Sequence, residues 1–322
     1  MRLILNQFRE ISAPHPPHIL KTFIPLLDQY QNLKSRDNFE FLVKDVCEYV
    51  NENPVPWSNI KLQTREVTRK CNKPDLFEIF RAVYELKAEN DDADIWCCKS
   101  TFNAEFAYDL EAHGIKPIYV YLYRDGRDVA ASFRKTIVGP KHIYHIAKEW
   151  KRDQEMAKDV LKLVGKERFF SVKYEQLITD PEKALFGLCQ KIGVKFDPKV
   201  ETYYNSEESM NTARAGKMWE NLTKPIMRGH YGLYKKELAE EDIRLFERLA
   251  GEVLVDLGYN NVEISGADCN QEFTSDQLQA FDRINEEMKV SVIGKAQPEE
   301  LKRRAGQEAV IEKIKRRFDI ID

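Results

Sequence analysis

An excess of charge of one sign is missing from this 322-residue chain: 50 Lys and Arg stand against 53 Asp and Glu, a net charge of -3. A protein that coats nucleic acid or an acidic membrane through its overall field is thereby excluded, and any anion it binds must be held by a local site. Long apolar runs are lacking too. The longest near the start is Leu3 to Leu5, far short of a signal-peptide core, and no stretch approaches the roughly 20 apolar residues of a membrane span. The chain therefore reads as cytoplasmic. Cysteine is scarce: the six residues at 47, 71, 97, 98, 189 and 269 form no Cys-x2-Cys pair with metal spacing, so they read as free thiols.

What is present is ample apolar content, 43% of the residues, enough to fill the core of one large α/β domain or two small ones. A disulfide-stapled miniprotein and a disordered chain are both excluded. Strand-like runs are few and short. Ile95 to Cys98 follows the turn-forming Asn90-Asp91-Asp92, Ile118 to Tyr123 is apolar or aromatic throughout, and Arg168 to Val172 carries Phe169 and Phe170. Helical patterns at about 102–113, 128–135 and 142–164 separate them, as parallel strands with crossovers require. The expected fold is α/β and doubly wound: a central, mostly parallel sheet flanked by helices, with both sheet faces covered.

Later, Asp180 and Pro181 supply an N-cap and a first-turn proline, Leu185, Leu188 and Ile192 mark a buried stripe, and Gly193 stops the helix. An amphipathic helix at Glu240 to Leu257 should close the main domain, expected to span 1–260. Helices at His18 to Gln31 and Arg36 to Val50, then the break Asn53-Pro54-Val55-Pro56-Trp57, read as part of a helical insertion over about 18–90. The polar remainder, 261–322, reads as an extension of two charge-rich helices, near Ser275 to Val290 and Pro298 to Phe318, suited to self-association.

The segment richest in chemistry is Arg124-Asp-Gly-Arg-Asp-Val-Ala-Ala-Ser132, directly after the strand at Ile118. Open α/β sheets bind ligands beyond the carboxyl ends of their strands, where Arg124 emerges, and Asp125-Gly126 turns into a helix N-terminus suited to phosphate. Ser132 adds a hydroxyl to oxygens that the guanidinium clamps. Arg127 and Asp128 have a structural reading as an ion pair and a helix cap.

This motif resembles the 3′-phosphate-binding motif of sulfotransferases that use 3′-phosphoadenosine 5′-phosphosulfate (PAPS), down to the spacing from Arg to Ser. The resemblance implies a fold of the P-loop nucleoside triphosphate hydrolase type and a 3′-phosphate held by Arg124 and Ser132. Phe169 to Leu177, with Thr179-Asp180-Pro181, is similar to the family's next strand and helix, which implies adenine contact for Tyr174; a half-buried strand-end tyrosine is the alternative. Trp96-Cys-Cys-Lys99-Ser-Thr101 resembles the family's Lys-Thr-Pro segment and implies that Lys99 faces the transferred group, against a solvated surface lysine. Arg214-Ala-Gly-Lys217 falls where the family has a basic loop, so Arg214 and Lys217 are either further 3′-phosphate ligands or ordinary loop charges.

The departure lies at the start. The family's opening strand and its Gly-x-x-Arg-Ser-Gly-Thr-Thr loop for the 5′-phosphosulfate do not occur in the sequence, and Met1 to Gln7 resembles the helix after that loop. The chain is then either truncated relative to the family or a degenerate relative. Two functions follow: transfer of a sulfuryl group from PAPS to a hydroxyl or amine, or binding of adenosine 3′,5′-bisphosphate without catalysis. A nucleotide kinase is weaker, because Gly-x4-Gly-Lys-Ser/Thr and a Mg²⁺ ligand set are both missing; no metal cofactor is expected.

For a base, His15 and His18 in Pro14-His-Pro-Pro-His18 stand where relatives place a Glu, and a neutral imidazole near pH 7 accepts a proton. A capping or solvated role is the alternative for each. His142 and His145, three apart on a helix, lack companions for a metal and read as surface or packing residues. The acceptor, whether a small alcohol, carbohydrate, lipid or peptide, is not legible: Phe23, Tyr30, Trp57 and Phe77 either line a cleft for it or pack the insertion.

Overall fold

The structure, a computed structural model, describes residues 1–259 and 272–319. Cys269 and the expected boundary after residue 260 lie outside the described residues. In chain order the elements begin with α1 (Arg2–Leu5), β1 (Ile11–Ser12), α2 (Ile19–Phe23), α3 (Arg36–Asn51), α4 (Thr64–Lys70), α5 (Leu76–Asn90), β2 (Ile95–Trp96) and α6 (Ala107–Ala112). There follow β3 (Tyr119–Tyr123), α7 (Gly126–Phe133), α8 (Ile143–Val164), β4 (Phe169–Lys173), α9 (Tyr174–Thr179) and α10 (Pro181–Ile192). The last are α11 (Glu207–Arg214), α12 (Tyr234–Glu237), α13 (Glu240–Asp256), α14 (Ser275–Ile293) and α15 (Pro298–Asp319). None of the described helices is long and apolar enough to cross a membrane.

The chain divides into two compact units. One comprises residues 1–117, 197–225 and the described residues from Gln297 on; the other comprises 118–196 and the described part of 226–296. In the first, Phe39, Leu42, Val43, Val46 and Val50 recur at helical spacing on α3 and meet Ile19, Leu20 and Phe23 of α2 and Ile79, Phe80, Val83 and Tyr84 of α5. Phe23, Tyr30, Trp57 and Phe77 are buried in this core and pack its helices, and Trp57 also lines a small pocket with Pro56, Ile60 and Leu62. Val310 and Ile314 of α15 join it. Near the end of α15, Arg317 clamps the buried carboxylate of Asp45 with two bonds of 2.7 and 2.9 Å, and Tyr30 Oη donates to the same carboxylate at 2.8 Å. A carboxylate that deep needs such donors.

In the second unit α7, α8 and α13 pack around Trp150 and Phe246. Helix ends follow their caps. Asp180 accepts from the Lys183 amide at 3.2 Å with Pro181 behind it, and Gly193, at φ 78°, closes α10 in the left-handed conformation that a side chain disfavours. Thr274 and Gln277 form a reciprocal capping box at the start of α14. Asn285 of α14 accepts from the amides of Lys141 and His142, and Phe281 stacks on His142. The two helices expected to form one tail thus belong to different units, α14 to the second and α15 to the first.

One central sheet is not what the described residues form. Their strands pair as two separate parallel ladders: β1 with β2, Ile11 opposite Ile95, in the first unit, and β3 with β4, Tyr119 opposite Phe169 through Tyr123 opposite Lys173, in the second. The expected strand at Ile95 to Cys98 is only two residues long, although the Cys97 amide still donates to the Ser12 carbonyl at 2.8 Å. The helix expected at 102–113 opens as a 3-10 turn, Thr101–Phe106, before α6.

Gly126 owes its identity to packing. A Cβ there falls within the van der Waals surface of Phe246 Cζ and lies 2.7 Å from the Trp150 ring. Gly126→Ala should therefore cost about 1–3 kcal/mol, the usual range for forced overpacking. Urea unfolding measures it, and a loss below about 0.5 kcal/mol, typical of an unconstrained surface change, would show that the two rings yield freely.

Candidate functional site

In the second unit, Arg124 leaves the carboxyl end of β3 and α7 starts two residues later. Four charged side chains of the motif have distinct places. Asp125, not Asp128, is the N-cap: its Oδ1 accepts from the Arg127 amide at 3.0 Å. The buried Arg127 guanidinium donates to Asp125 Oδ2 at 2.9 Å and to Glu247 Oε1 at 2.5 Å. Asp128, also buried, accepts from the amides of Gly232 at 2.7 Å and Tyr234 at 2.9 Å. Arg127 and Asp128 thus hold the motif against α13 and the turn before α12.

Arg124 is the arginine left facing outward from this frame. One of its terminal nitrogens donates to the His230 carbonyl at 3.1 Å and lies 3.5 Å from Asp128 Oδ2, and the guanidinium sits 4.6 Å from the centre of the Tyr174 ring. Its Nε is buried with no hydrogen-bond partner, an expensive state for a donor. Ser132 is exposed on α7, one residue before the helix ends. Tyr174 opens α9, and one face of its ring carries Arg124. Burial raises the Tyr174 phenol pKa, partly offset by the Arg124 charge.

The expectation that the α7 N-terminus itself cradles phosphate needs correction. The Asp125 amide already donates to Glu175 Oε1 at 3.1 Å, the Arg127 amide to Asp125, and Trp150 and Phe246 cover Gly126. The Asp125 and Arg127 amides are thus already engaged by carboxylates in place of an anion.

In the first unit, His15, His18 and Lys99 come close enough to feel one another's charge. Burial, then the charges of Arg2 and His18, lower the His15 imidazole to about 3, against a hydrogen bond to Asn53 that works the other way. Burial and Lys99 lower His18 to about 4. Lys99 keeps its side chain in contact with solvent, yet the protein packed around it and the Arg2 charge lower its ammonium pKa as well. His15 Nδ1 lies 3.1 Å from Asn53 Oδ1, and the ring meets Trp219 edge-on at 5.2 Å. His18, in the left-handed region at φ 56°, places Nδ1 2.8 Å from Ser100 Oγ and packs on Phe102. A non-glycine residue held there is strained, a feature that accumulates at functional sites.

Arg214 ends α11 and Lys217 opens the next turn; both are exposed, and both belong to the first unit, whereas Arg124 belongs to the second. His142 caps α8 by accepting from the Tyr144 amide at 3.3 Å, and His145 Nε2 lies 3.1 Å from Asp282. Sequence reasoning passed over His230, Asn53 and Trp219. The run Arg228-Gly229-His230 was a basic turn signal, and Asn before Pro54 signals a side-chain turn, here closed by the Val55 amide on Asn53 Oδ1 at 3.2 Å.

Residues 1–198 match the sulfotransferase family as a sequence profile, and the chain belongs to that family. Its fold is similar to the sulfotransferase domain from the Synechococcus PCC 7002 olefin synthase, with TM-score 0.50 and 19% identity over 77% of this chain and 88% of that one. It is equally similar, at TM-score 0.50 and 17% identity, to the sulfotransferase domain from the curacin biosynthetic pathway, over 78% of this chain and 91% of that one. No curated protein matches it in sequence.

The depressed imidazoles have a consequence for stability. Folding keeps His15 and His18 neutral where an unfolded chain, with histidines near 6.5, binds protons. Their contribution is complete above that value and is lost as pH falls toward about 4 and about 3. His15→Gln should flatten the fall in stability between about pH 6 and 4 by up to ~1.4 kcal/mol per pH unit, the slope of one proton. Urea unfolding across that range checks it; an unchanged slope would mean that His15 titrates normally in the fold.

Proposed function

We propose that the chain is a PAPS-dependent sulfotransferase acting on a hydroxyl or amine acceptor. The observation that carries this reading is Arg124: a guanidinium at a strand end, braced on Tyr174, with a buried Nε that has no partner. In this reading it takes the 3′-phosphate of the donor, whose oxygens replace the His230 carbonyl as acceptors and supply one for Nε. Ser132 adds a hydroxyl to that phosphate and Tyr174 supports the adenine end; in the first unit, Arg214 and Lys217 stand as the basic-loop candidates that the resemblance implies.

Taken by itself, the first unit holds a basic cluster of the kind that sulfuryl chemistry uses. Lys99 places positive charge against the sulfuryl oxygens and the leaving phosphate, where transfer builds negative charge. A bound dianion would also lift the His15 and His18 pKa values, because a nearby opposite charge favours the protonated form. The acceptor oxygen or nitrogen attacks sulfur, the bond from sulfur to the bridging phosphate oxygen breaks, and adenosine 3′,5′-bisphosphate departs. The acceptor's proton goes to an imidazole, His15 or His18, with His15 favoured. Neutral at pH 7 and fixed by its prolines, His15 accepts it without first losing one.

Two measurements test the assignment. Arg124→Ala should weaken calorimetric binding of adenosine 3′,5′-bisphosphate about tenfold or more, the loss of a charge-assisted contact. The Asp128 contacts to Gly232 and Tyr234 do not involve Arg124 and should keep the local fold. An unchanged dissociation constant removes Arg124 from the site. His15→Ala should lower sulfuryl transfer from PAPS by about a hundredfold, the scale of general-base catalysis, at unaltered nucleotide affinity. Saturable binding without transfer to any acceptor by the unaltered chain would favour the non-catalytic binding protein.

A further inference from the structure

We infer that Asn53 is a positioning residue for His15: it locks the imidazole proton on Nδ1 and so presents Nε2 as the lone-pair nitrogen that receives the acceptor's proton. The inference rests on His15 being the base.

The amide of Asn53, itself buried, is fixed by two backbone groups of opposite character. Its Nδ2 donates to the His15 carbonyl at 3.1 Å, and its Oδ1 accepts from the Val55 amide at 3.2 Å. Turning the amide over would set NH₂ against N–H and oxygen against oxygen, so its orientation follows from its partners. The atom 3.1 Å from His15 Nδ1 is therefore an oxygen with nothing to donate. Nδ1 must carry the hydrogen, and in a neutral ring Nε2 is then bare.

The rest of His15 is held as firmly. Trp57 Nε1 donates to the same His15 carbonyl at 2.7 Å, Pro14 and Pro16 flank the residue, and Trp219 meets the ring edge-on. His18 has no equivalent device: the group at its Nδ1 is the Ser100 hydroxyl, which donates or accepts as required, so its tautomer is not set. The choice of amide over carboxylate also matters. The charged or titratable groups acting on His15 are Arg2 of α1, His18 of the same loop and Lys99 after β2, cationic or neutral in every case. A neutral acceptor orients the ring without adding the negative charge that would stabilise the imidazolium.

The test is the ¹⁵N spectrum of the histidine side chains in the full chain, which distinguishes the two tautomers directly. Unaltered protein should show His15 protonated on Nδ1 and bare on Nε2 at pH 7; an Nε2–H signature overturns the inference with no variant needed. Asn53→Ala should release His15 toward the Nε2–H form that free histidine prefers. It should also lower kcat about tenfold or more, as loss of an orienting partner does, with KM for PAPS little changed. Retention of the Nδ1–H form also overturns the inference. Asn53→Asp keeps an acceptor for both Val55 and Nδ1 but exchanges the donor on the His15 carbonyl for an oxygen; it should retain the Nδ1–H tautomer and, through the added charge, move the acid limb of the kcat–pH profile upward by about one unit or more. An acid limb that does not move overturns it. Should His15→Ala leave transfer intact while Asn53→Ala still switches the tautomer, the base assignment fails and Asn53 stands as the residue that orients His15.

Discussion

A carboxylate with no access to water must be given donors, and in the second unit Asp128 is that carboxylate. The Gly232 and Tyr234 amides satisfy it, which fixes the turn carrying His230, and its Oδ2 faces Arg124 across 3.5 Å. The two acceptors nearest the Arg124 guanidinium, Asp128 and the His230 carbonyl, are thus placed by one buried charge. Removal of Asp128 would release the turn and the arginine together. The preorganisation of Arg124 is therefore inherited from the core of the unit, and the exposed Ser132 contributes nothing to it.

The first unit treats Asp45 the same way, but one cluster in it handles charge in the opposite manner. Arg2 has an acid partner, Glu208 at 2.6 Å, and also donates to the Ala13 carbonyl and Thr212. His15, His18 and Lys99 have no such acid partner among the described ion pairs, and each has its protonated form disfavoured. Burial contributes first, and the positive neighbours add to it. Such a cluster costs the fold stability, which any bound anion returns by favouring protonation. A surface built merely to be soluble would place a carboxylate there.

Elements with strong local signals were legible from residues alone. Asp180, Pro181 and Gly193 bound α10 as read, α8 and α13 start and end within about a residue or two of their periodicity, the usual precision of helix boundaries, and β3 and β4 stand where the apolar runs lie. Other elements carried no readable period. A two-residue strand such as β1 is too short for alternation to show. α15 is charged around most of its circumference and offers the core of the first unit only a narrow apolar stripe, Val310 and Ile314 with Ile311 beside them, so its tertiary home was hidden. At the site, Arg124 was singled out by the spacing from Arg to Ser in a strand-turn-helix context, since a lone arginine at a strand end is more often structural. His230 and Trp219 were not, since their roles come from partners 106 and 204 positions away in the chain, at Arg124 and His15.

Gly126 shows how a motif misleads when its letters are read one at a time. A glycine between a strand and a helix suggests backbone laid open to a phosphate, yet here the missing side chain admits Trp150 and Phe246, and Trp150 Nε1 donates to the Arg124 carbonyl at 3.2 Å. The glycine lets the indole come close enough to hold the arginine's main chain. Its part in placing Arg124 is therefore indirect: it fixes where Arg124 begins, Asp128 and Tyr174 fix where the guanidinium ends, and the buried Nε between them is left without an acceptor.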